Sequence, residues 1–545
     1  MLIDLYESIP RRLSDLWRIS PQERALIFSD ALMRIQSYLL NHVASHIWYL
    51  CDGQRTVREI ANTVFRSLDV RDRPSEDLIL SDIVSFVVSL GESHLIELGY
   101  PAKKIDVLLV SPPNSHYYHR EINRVPENSS PPLGLCSIAT ILRQNGIAVH
   151  LEDFQAAEKD CDQIVPLIER YCPRIVGISA TTTSYFQAKK MAGIIRKYYP
   201  EIKLVLGGIH GSSLPEDVLR NSVFDIVARG EGEYTMLELA QSMPLDEKSL
   251  AAVSGISYIS ASGDMCHNEA RPFISDLDSL SPPDKALIDL YRYHQKGAIL
   301  TGRGCPNQCI FCSCSAFCGA RYRSRSTGHI LREVIDTVHR YGIHEFEIHD
   351  DTFTITRDRV VSFCDAILEA GLDITWGCQS RASTIDADLA KMMYGSGCRS
   401  IQFGVESGNQ RILNSIKKGI TLEQVETAVS AARNAGIPQI ICTFMIGHPE
   451  DTRETIHDTV DFALHLHDLG LTVSPFTVLT PLPGTEVFHR AADYGLKIID
   501  DDWERYTFSK VNIETKYLKA EEINEIYFET LEKILSREGR LRETE

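Results

Sequence analysis

The chain has 545 residues, 43% hydrophobic and 24% charged, an ordinary composition for a globular protein of about two to four domains. A formal net charge of -18 opposes non-specific binding to nucleic acid or to an anionic membrane surface. No stretch is apolar for long enough to span a bilayer and no basic-then-apolar leader is visible, so the 14 cysteines are expected in a reducing cytoplasm, serving metal, catalysis or the core.

Residues 1–100 read as a small module. Strands are expected around 24–40. Asp52-Gly53 marks a turn, and Thr56 with Glu59 three residues on forms a capping box. Apolar positions in 82–95 then follow a helical period. A winged helix-turn-helix is the simplest fold. The run Ile47-Trp48-Tyr49-Leu50-Cys51-Asp52-Gly53, with the capped helix after it, resembles the PqqD-like peptide-recognition module. The resemblance implies that a leader peptide adds as a strand to a sheet edge within 24–40. A scaffold without a peptide role, or a DNA binder, is the alternative; the acidic charge opposes the latter.

Residues 101–274 alternate between strand and helix. Strands are predicted at 106–110, 148–152, 175–179, 204–207 and 225–228, with helical windows at 134–144, 185–197 and 233–241. This is an open, doubly wound, Rossmann-like sheet, which binds ligands at the carboxyl edge of its strands. No G-x-G-x-x-G is present, so a dinucleotide is a poor reading. Pro131-Pro132-Leu133-Gly134-Leu135, the hydroxyl run 179–184, Gly207-Gly208-Ile209-His210 and Gly230-Glu231-Gly232-Glu233 resemble the cobalamin-binding domain that precedes many radical S-adenosylmethionine (SAM) barrels. The resemblance implies that Ser179, Thr181, Thr182, Gly207, Gly208, Gly230 and Glu231 lie along the cofactor. Where methionine synthase has a cobalt-binding Asp-x-His-x-x-Gly loop, this chain reads Asp153-Phe154-Gln155-Ala156-Ala157. Cobalamin is therefore expected with no histidine from that loop. His116 and His119 are candidates for the lower cobalt face. A sheet domain without its cofactor is the alternative.

Residues 275–490 follow a polar, proline-bearing stretch at 275–284 that reads as a linker. Strands are predicted at 298–302, 345–349, 374–378, 400–405, 440–446 and 472–479, with helices between them. Such a run of β-α units implies a partial (β/α)6 TIM barrel with its chemistry at the carboxyl ends of the strands. After the first strand comes Arg303-Gly304-Cys305-Pro306-Asn307-Gln308-Cys309-Ile310-Phe311-Cys312. Three thiolates at this spacing can ligate three corners of a four-iron cluster and leave one iron open. A zinc site completed by Cys314, Cys318 or His329 is the other reading of the spacing.

The C-x3-C-x2-C loop resembles the radical SAM superfamily over residues 295–490. It implies that Cys305, Cys309 and Cys312 hold a [4Fe-4S] cluster whose open iron chelates SAM. Phe311 then lies against the adenine, Asp350 and Asp351 receive the SAM amino group, Arg381 and Glu406 contact the methionine or ribose part, and Gly447 meets the adenine through its backbone. Among the other thiols, Cys378 and Cys442 lie near strand ends as possible hydrogen-atom donors, with burial in the core the plainer reading.

The implied function is a cobalamin-dependent radical SAM methyltransferase acting on an unactivated carbon of a ribosomally made peptide or other natural-product precursor. The alternative within the same fold is a radical cyclase or rearrangement enzyme without methyl transfer. A binding protein with an inert cluster site is the non-enzymatic reading. Partners expected are a leader or precursor peptide, or a small-molecule substrate, and an external electron donor of flavodoxin or ferredoxin type. Residues 491–545 read as a helical extension, with 520–535 amphipathic and covering the barrel's open edge or mouth.

Overall fold

The computed structural model describes residues 104–114 and 130–539, together with five short strands and five single helical residues in the first hundred. The chain divides into two units, residues 1–104 with 166–172, and the remainder.

In the first unit, Ile9–Arg12 pairs antiparallel with Ile96–Gly99, and Ala25–Ser29 lies between Trp17–Ile19 and Gln36–Leu39 in a three-stranded antiparallel sheet. The strands expected around 24–40 correspond to the last two of that sheet. Val57, Glu59 and Ile60 are helical. The cap at Thr56 and the histidines His116 and His119 lie outside the described residues.

The second unit opens with a seven-stranded sheet. Its parallel part comprises β1 (Val107–Ser111), β2 (Val149–Asp153), β3 (Ile175–Ser179), β4 (Lys203–Gly207) and β5 (Ile226–Ala228). Two further strands, β6 (Ile256–Ile259) and β7 (Met265–His267), extend it as an antiparallel hairpin, giving the order β7-β6-β5-β4-β3-β1-β2. The sequence predicted five strands and missed that hairpin, whose two strands are only four and three residues long. The central strands are apolar throughout because helices cover both faces. Helices α1 (Leu133–Gln144), α2 (Tyr185–Tyr198) and α3 (Glu233–Gln241) follow strand ends, as a doubly wound sheet requires.

The second sheet has six parallel strands in chain order: β8 (Gly297–Ile299), β9 (Glu345–Ile348), β10 (Thr375–Ser380), β11 (Cys398–Glu406), β12 (Gln439–Ile446) and β13 (Phe476–Val478). After the cysteine loop comes the short α4 (Cys314–Cys318). The connecting helices α5 (Thr327–Tyr341), α6 (Arg357–Glu369), α7 (Ala387–Gly395), α8 (Leu422–Ala435) and α9 (Arg453–Leu469) bury one face each. Their ends are written locally. Ser326, Asp386, Thr421 and Thr452 accept a backbone N–H at the helix start, and Gly342, Gly436 and Gly470 adopt left-handed conformations at the end. Trp376 anchors the core on Phe353 and Phe363, with ring centroids 5.6 and 5.4 Å away, and donates its indole N–H to Ser396 O at 3.0 Å. Cys364, Cys378, Cys398 and Cys442 are buried among these apolar side chains.

Residues 275–284 are an ordered strap, not the free linker their composition suggested. Asp284 takes Arg143 of α1 at 2.7 Å and Thr140 accepts its backbone N–H, while Asp278 accepts Ser326 N at the start of α5. The strap ties the two sheets together. Helix α10 (Ala520–Arg537) buries Ile523, Ile526, Tyr527 and Ile534, and the Tyr527 hydroxyl reaches Phe476 O of the last strand. It covers the open edge beside β13, as the amphipathic pattern of 520–535 suggested. Among the described residues no helix is long and apolar enough to cross a membrane.

Candidate active site

The cysteine loop is held from both sides. Ile310 is buried, its N–H donates to Ile416 O at 3.2 Å, and its carbonyl accepts Val487 N at 2.9 Å. Gly304 has φ +86°, and a Cβ there would stand 2.5 Å from Arg321 O, so only glycine lets the loop turn at this point. The thiols of Cys305, Cys309 and Cys312 are free. Asn307 donates its amide to Cys305 Sγ at 3.2 Å, and the Cys314 N–H approaches Cys312 Sγ at 3.5 Å. Donors of this kind suit sulfur that carries negative charge. His329, a possible zinc ligand by sequence, is taken up by Arg325, whose Nε donates to its Nδ1 at 2.9 Å.

Beside the loop sits a charged cluster that the sequence only half revealed. Glu406 ends β11 with φ +75°, where the register with β12 shifts, and its carboxylate meets Lys418 Nζ at 2.8 Å. A non-glycine residue in that conformation is strained, which is common where a side chain is aimed for function. Lys418 also lies 5.8 Å from the Phe311 ring centroid. His448 lies 6.1 Å from the same ring. Arg381 is half-buried at the adjacent rim, beside Gly419. Gly447 follows β12 with φ +83°, which glycine alone takes without strain. Lys418 was not singled out from sequence. Its pairing with Glu406 joins residues 12 apart through the fold.

Asp350 and Asp351 part ways. Asp350 is fully buried and accepts Thr301 N at 2.6 Å, Thr301 Oγ1 at 2.6 Å and Gly302 N at 2.9 Å, with Tyr322 and Arg359 at its edge. Its oxygens bind the end of β8 to the end of β9. Asp351 points the other way, into a cavity.

That cavity, about 280 Å³, lies between the two sheets. Ser179, Gly207, Gly208, Gly230 and Glu231 line it from the first sheet, and Arg303, Cys318, His349 and Asp351 from the barrel. Thr181 and Thr182 do not line it. Thr181 bonds within its own turn to Thr183 and Ser184, and Thr182 is buried against His210 Nδ1 at 3.3 Å. His210 stacks on Tyr185 with centroids 4.0 Å apart, and burial pushes it down to about 4. The walls are fixed by ion pairs between the sheets. Arg303 holds Glu231 at 3.0 Å and Glu233 at 2.6 Å, and Arg323 holds Glu231 at 3.0 Å. Burial alone would raise the Glu233 carboxyl, but the charge and hydrogen bond of Arg303 hold it below the usual carboxylate range. Glu231, expected along the cofactor, is thus also a fastening between domains.

The residues present suit the expected cofactors. A Cβ added at Gly134, Gly207 or Gly230 would meet no protein atom within 4 Å, so the chain leaves a glycine-lined cradle at the carboxyl edge of the sheet. Such a cradle admits a bulky ligand close to backbone. On the barrel side, three free thiols on one anchored loop leave no fourth protein ligand within the motif. The donor set suits a four-iron cluster with one open iron.

Comparison with known proteins agrees. The radical SAM superfamily matches residues 299–463, the B12 binding domain residues 120–240, and Coenzyme PQQ synthesis protein D (PqqD) residues 31–96. An uncharacterized methyltransferase of Pyrococcus horikoshii is 34% identical over 429 residues, covering 78% of this chain and 91% of that protein. An anaerobic magnesium-protoporphyrin IX monomethyl ester cyclase of Rubrivivax gelatinosus is 29% identical, covering 73% and 71% of the two chains. The fold is that of the radical SAM methyltransferase TsrM from Kitasatospora setae, solved with cobalamin and a [4Fe-4S] cluster: TM-score 0.59, 21% identity, 73% of this chain and 80% of that one. The chain therefore belongs to the radical SAM superfamily, in the group whose barrel follows a B12-binding domain and whose cofactors are a [4Fe-4S] cluster, SAM and cobalamin, and it adds a PqqD domain at its amino-terminal end.

Proposed function

We propose that this enzyme is a cobalamin-dependent C-methyltransferase acting on a carbon of a ribosomally made peptide or a related natural-product precursor. The observation that carries the reading is the cavity shared by the glycine-lined sheet edge and the barrel rim next to the cysteine loop. When bound, the reduced cluster and SAM supply a hydrogen-abstracting radical, and cobalamin supplies the methyl group.

The chain's own residues do the placing. Cys305, Cys309 and Cys312 hold the cluster as thiolates on the loop pinned at Ile310. Phe311, Arg381, Glu406 and Gly447 border the SAM side, with the Glu406–Lys418 pair offering one anion and one cation to a zwitterionic ligand. Asp350 is spent on Thr301 and Gly302, so of the two aspartates it is Asp351 that faces the cavity. Ser179, Gly207, Gly208, Gly230 and Glu231 form the cobalamin side; Thr181 and Thr182 shape the turn behind it. The Arg303 and Arg323 pairs keep the two surfaces facing one another, which is the positional requirement of a reaction shared between two cofactors. An external one-electron donor of flavodoxin or ferredoxin type completes the system.

The PqqD match supports a peptide substrate, its leader adding as a strand to the first unit. The second reading, cyclisation without methyl transfer, rests on the likeness to the cyclase of Rubrivivax gelatinosus. Anaerobic turnover of the full chain with SAM, cobalamin, reductant and candidate precursor peptides separates them. Methyl transfer yields S-adenosylhomocysteine and 5′-deoxyadenosine in similar amounts and a product heavier by one CH2. Deoxyadenosine alone, with product mass unchanged by methylation, would overturn the methyltransferase reading.

A further inference from the structure

Cys314 and Cys318 stand one helical turn apart on α4, so both thiols leave the same face of that helix. Asp351, just past the end of β9, comes up against them. One ligand atom from each of the three residues lies within 4.8 Å of the other two. None of the three belongs to the cluster motif.

We propose that Cys314, Cys318 and Asp351 form a second metal site, taking a zinc ion by two sulfurs and one carboxylate oxygen, with its fourth position toward the cavity between the sheets. The donor set fits a borderline-soft divalent ion, and three protein ligands with one open position is the arrangement of zinc sites that bind a further ligand. Cys318 and Asp351 both line the cavity, so the open side faces the space where substrate has to reach the barrel rim. The nearby cations are already matched: Arg303 and Arg323 are spent on Glu231 and Glu233. A second sign comes from His349, two residues before Asp351. It lines the same cavity with Nε2 buried and without a partner among the described residues. The frame is rigid enough to hold an ion, since Cys318 O accepts Arg323 at 2.7 Å and Asp350 locks the backbone next to Asp351. The ligand expected at the fourth position is an anionic or thiol group of the substrate, or water in its absence.

The test is metal content of the full chain, reconstituted anaerobically with iron and sulfide, exposed to zinc and desalted. The expected result is about one zinc per chain in addition to cluster iron, with zinc-edge absorption showing two sulfur neighbours at about 2.3 Å. C314A/C318A loses zinc at least tenfold while keeping its iron and cluster absorption. D351N, the milder variant, binds zinc at least tenfold more weakly. C305A/C309A/C312A keeps the zinc and loses the iron. Zinc that stays with C314A/C318A, zinc lost together with the three cluster cysteines, or a wild-type chain that takes up none would overturn the proposal. So would loss of cluster iron in C314A/C318A, which would assign these thiols to the cluster.

Discussion

Arg303→Met gives the sharpest test of how the two sheets are fastened. The Glu233 carboxylate is 4% exposed, and apart from Arg303 at 2.6 Å its side-chain partner is Ser137 at 2.8 Å. Glu231 keeps Arg323 when Arg303 is gone. The cost therefore falls on Glu233, left as a buried anion with only the Ser137 hydroxyl and its own backbone N–H. Removing one partner of such a pair costs about 3–5 kcal/mol. Glu233→Gln on the same background discharges the stranded group, so the double variant should recover about 2 kcal/mol relative to the sum of the two single changes. Urea unfolding of the apo chain, followed by tryptophan fluorescence and analysed on the transition of the two-sheet unit, measures the cycle. A loss below about 1 kcal/mol for R303M, or strict additivity with E233Q, would refute the reasoning that the pair is desolvated and structural.

Three further outcomes follow from the same geometry. Gly207→Val places its side chain in open cavity, so apo stability should change by less than about 1 kcal/mol while cobalamin uptake falls at least tenfold, read by absorbance after desalting. Lys418→Met strands the buried Glu406 carboxylate, and SAM affinity measured by equilibrium dialysis should weaken about tenfold, or about 1.4 kcal/mol, with cluster iron unchanged. His210 is kept neutral down to about 4, against 6.5 when exposed. An imidazole depressed in this way supports the fold fully above about pH 6.5 and loses that support as pH falls toward 4, about 3 kcal/mol in all. Asp451, raised to about 7 by burial, works in the opposite sense over the same range, so the quantity to measure is the difference between wild type and His210→Gln across pH 4–7. A difference that does not vary with pH would remove His210 from the account.

What could be read in the chain was what is local. The cysteine loop is ten consecutive residues, and the β-α alternation of both sheets repeats at short range, so cluster loop, barrel and doubly wound sheet were all legible. Side-chain direction was not. Asp350 and Asp351 are neighbours with the same chemistry, yet the chain enters a turn at Asp351 and the two side chains part. One binds the strands together and the other faces the cavity. The ion pairs of Arg303 join positions some 70 residues apart and leave no spacing signal. Lys418 reaches Glu406 only because the loop after β11 folds back over the cysteine loop. The hairpin β6–β7 was missed because it is short and half exposed, and the strap at 275–284 because its prolines and serines look the same whether free or docked.

The central claim is that Cys305, Cys309 and Cys312 leave one iron for SAM. Electron paramagnetic resonance of the reduced, anaerobically reconstituted chain tests it directly. The account predicts that adding SAM shifts the cluster signal, that SAM labelled with 15N at its amino group shows a hyperfine coupling to the cluster, and that both effects vanish with the signal in Cys309→Ala. A reduced cluster whose spectrum is unchanged by saturating SAM would contradict it.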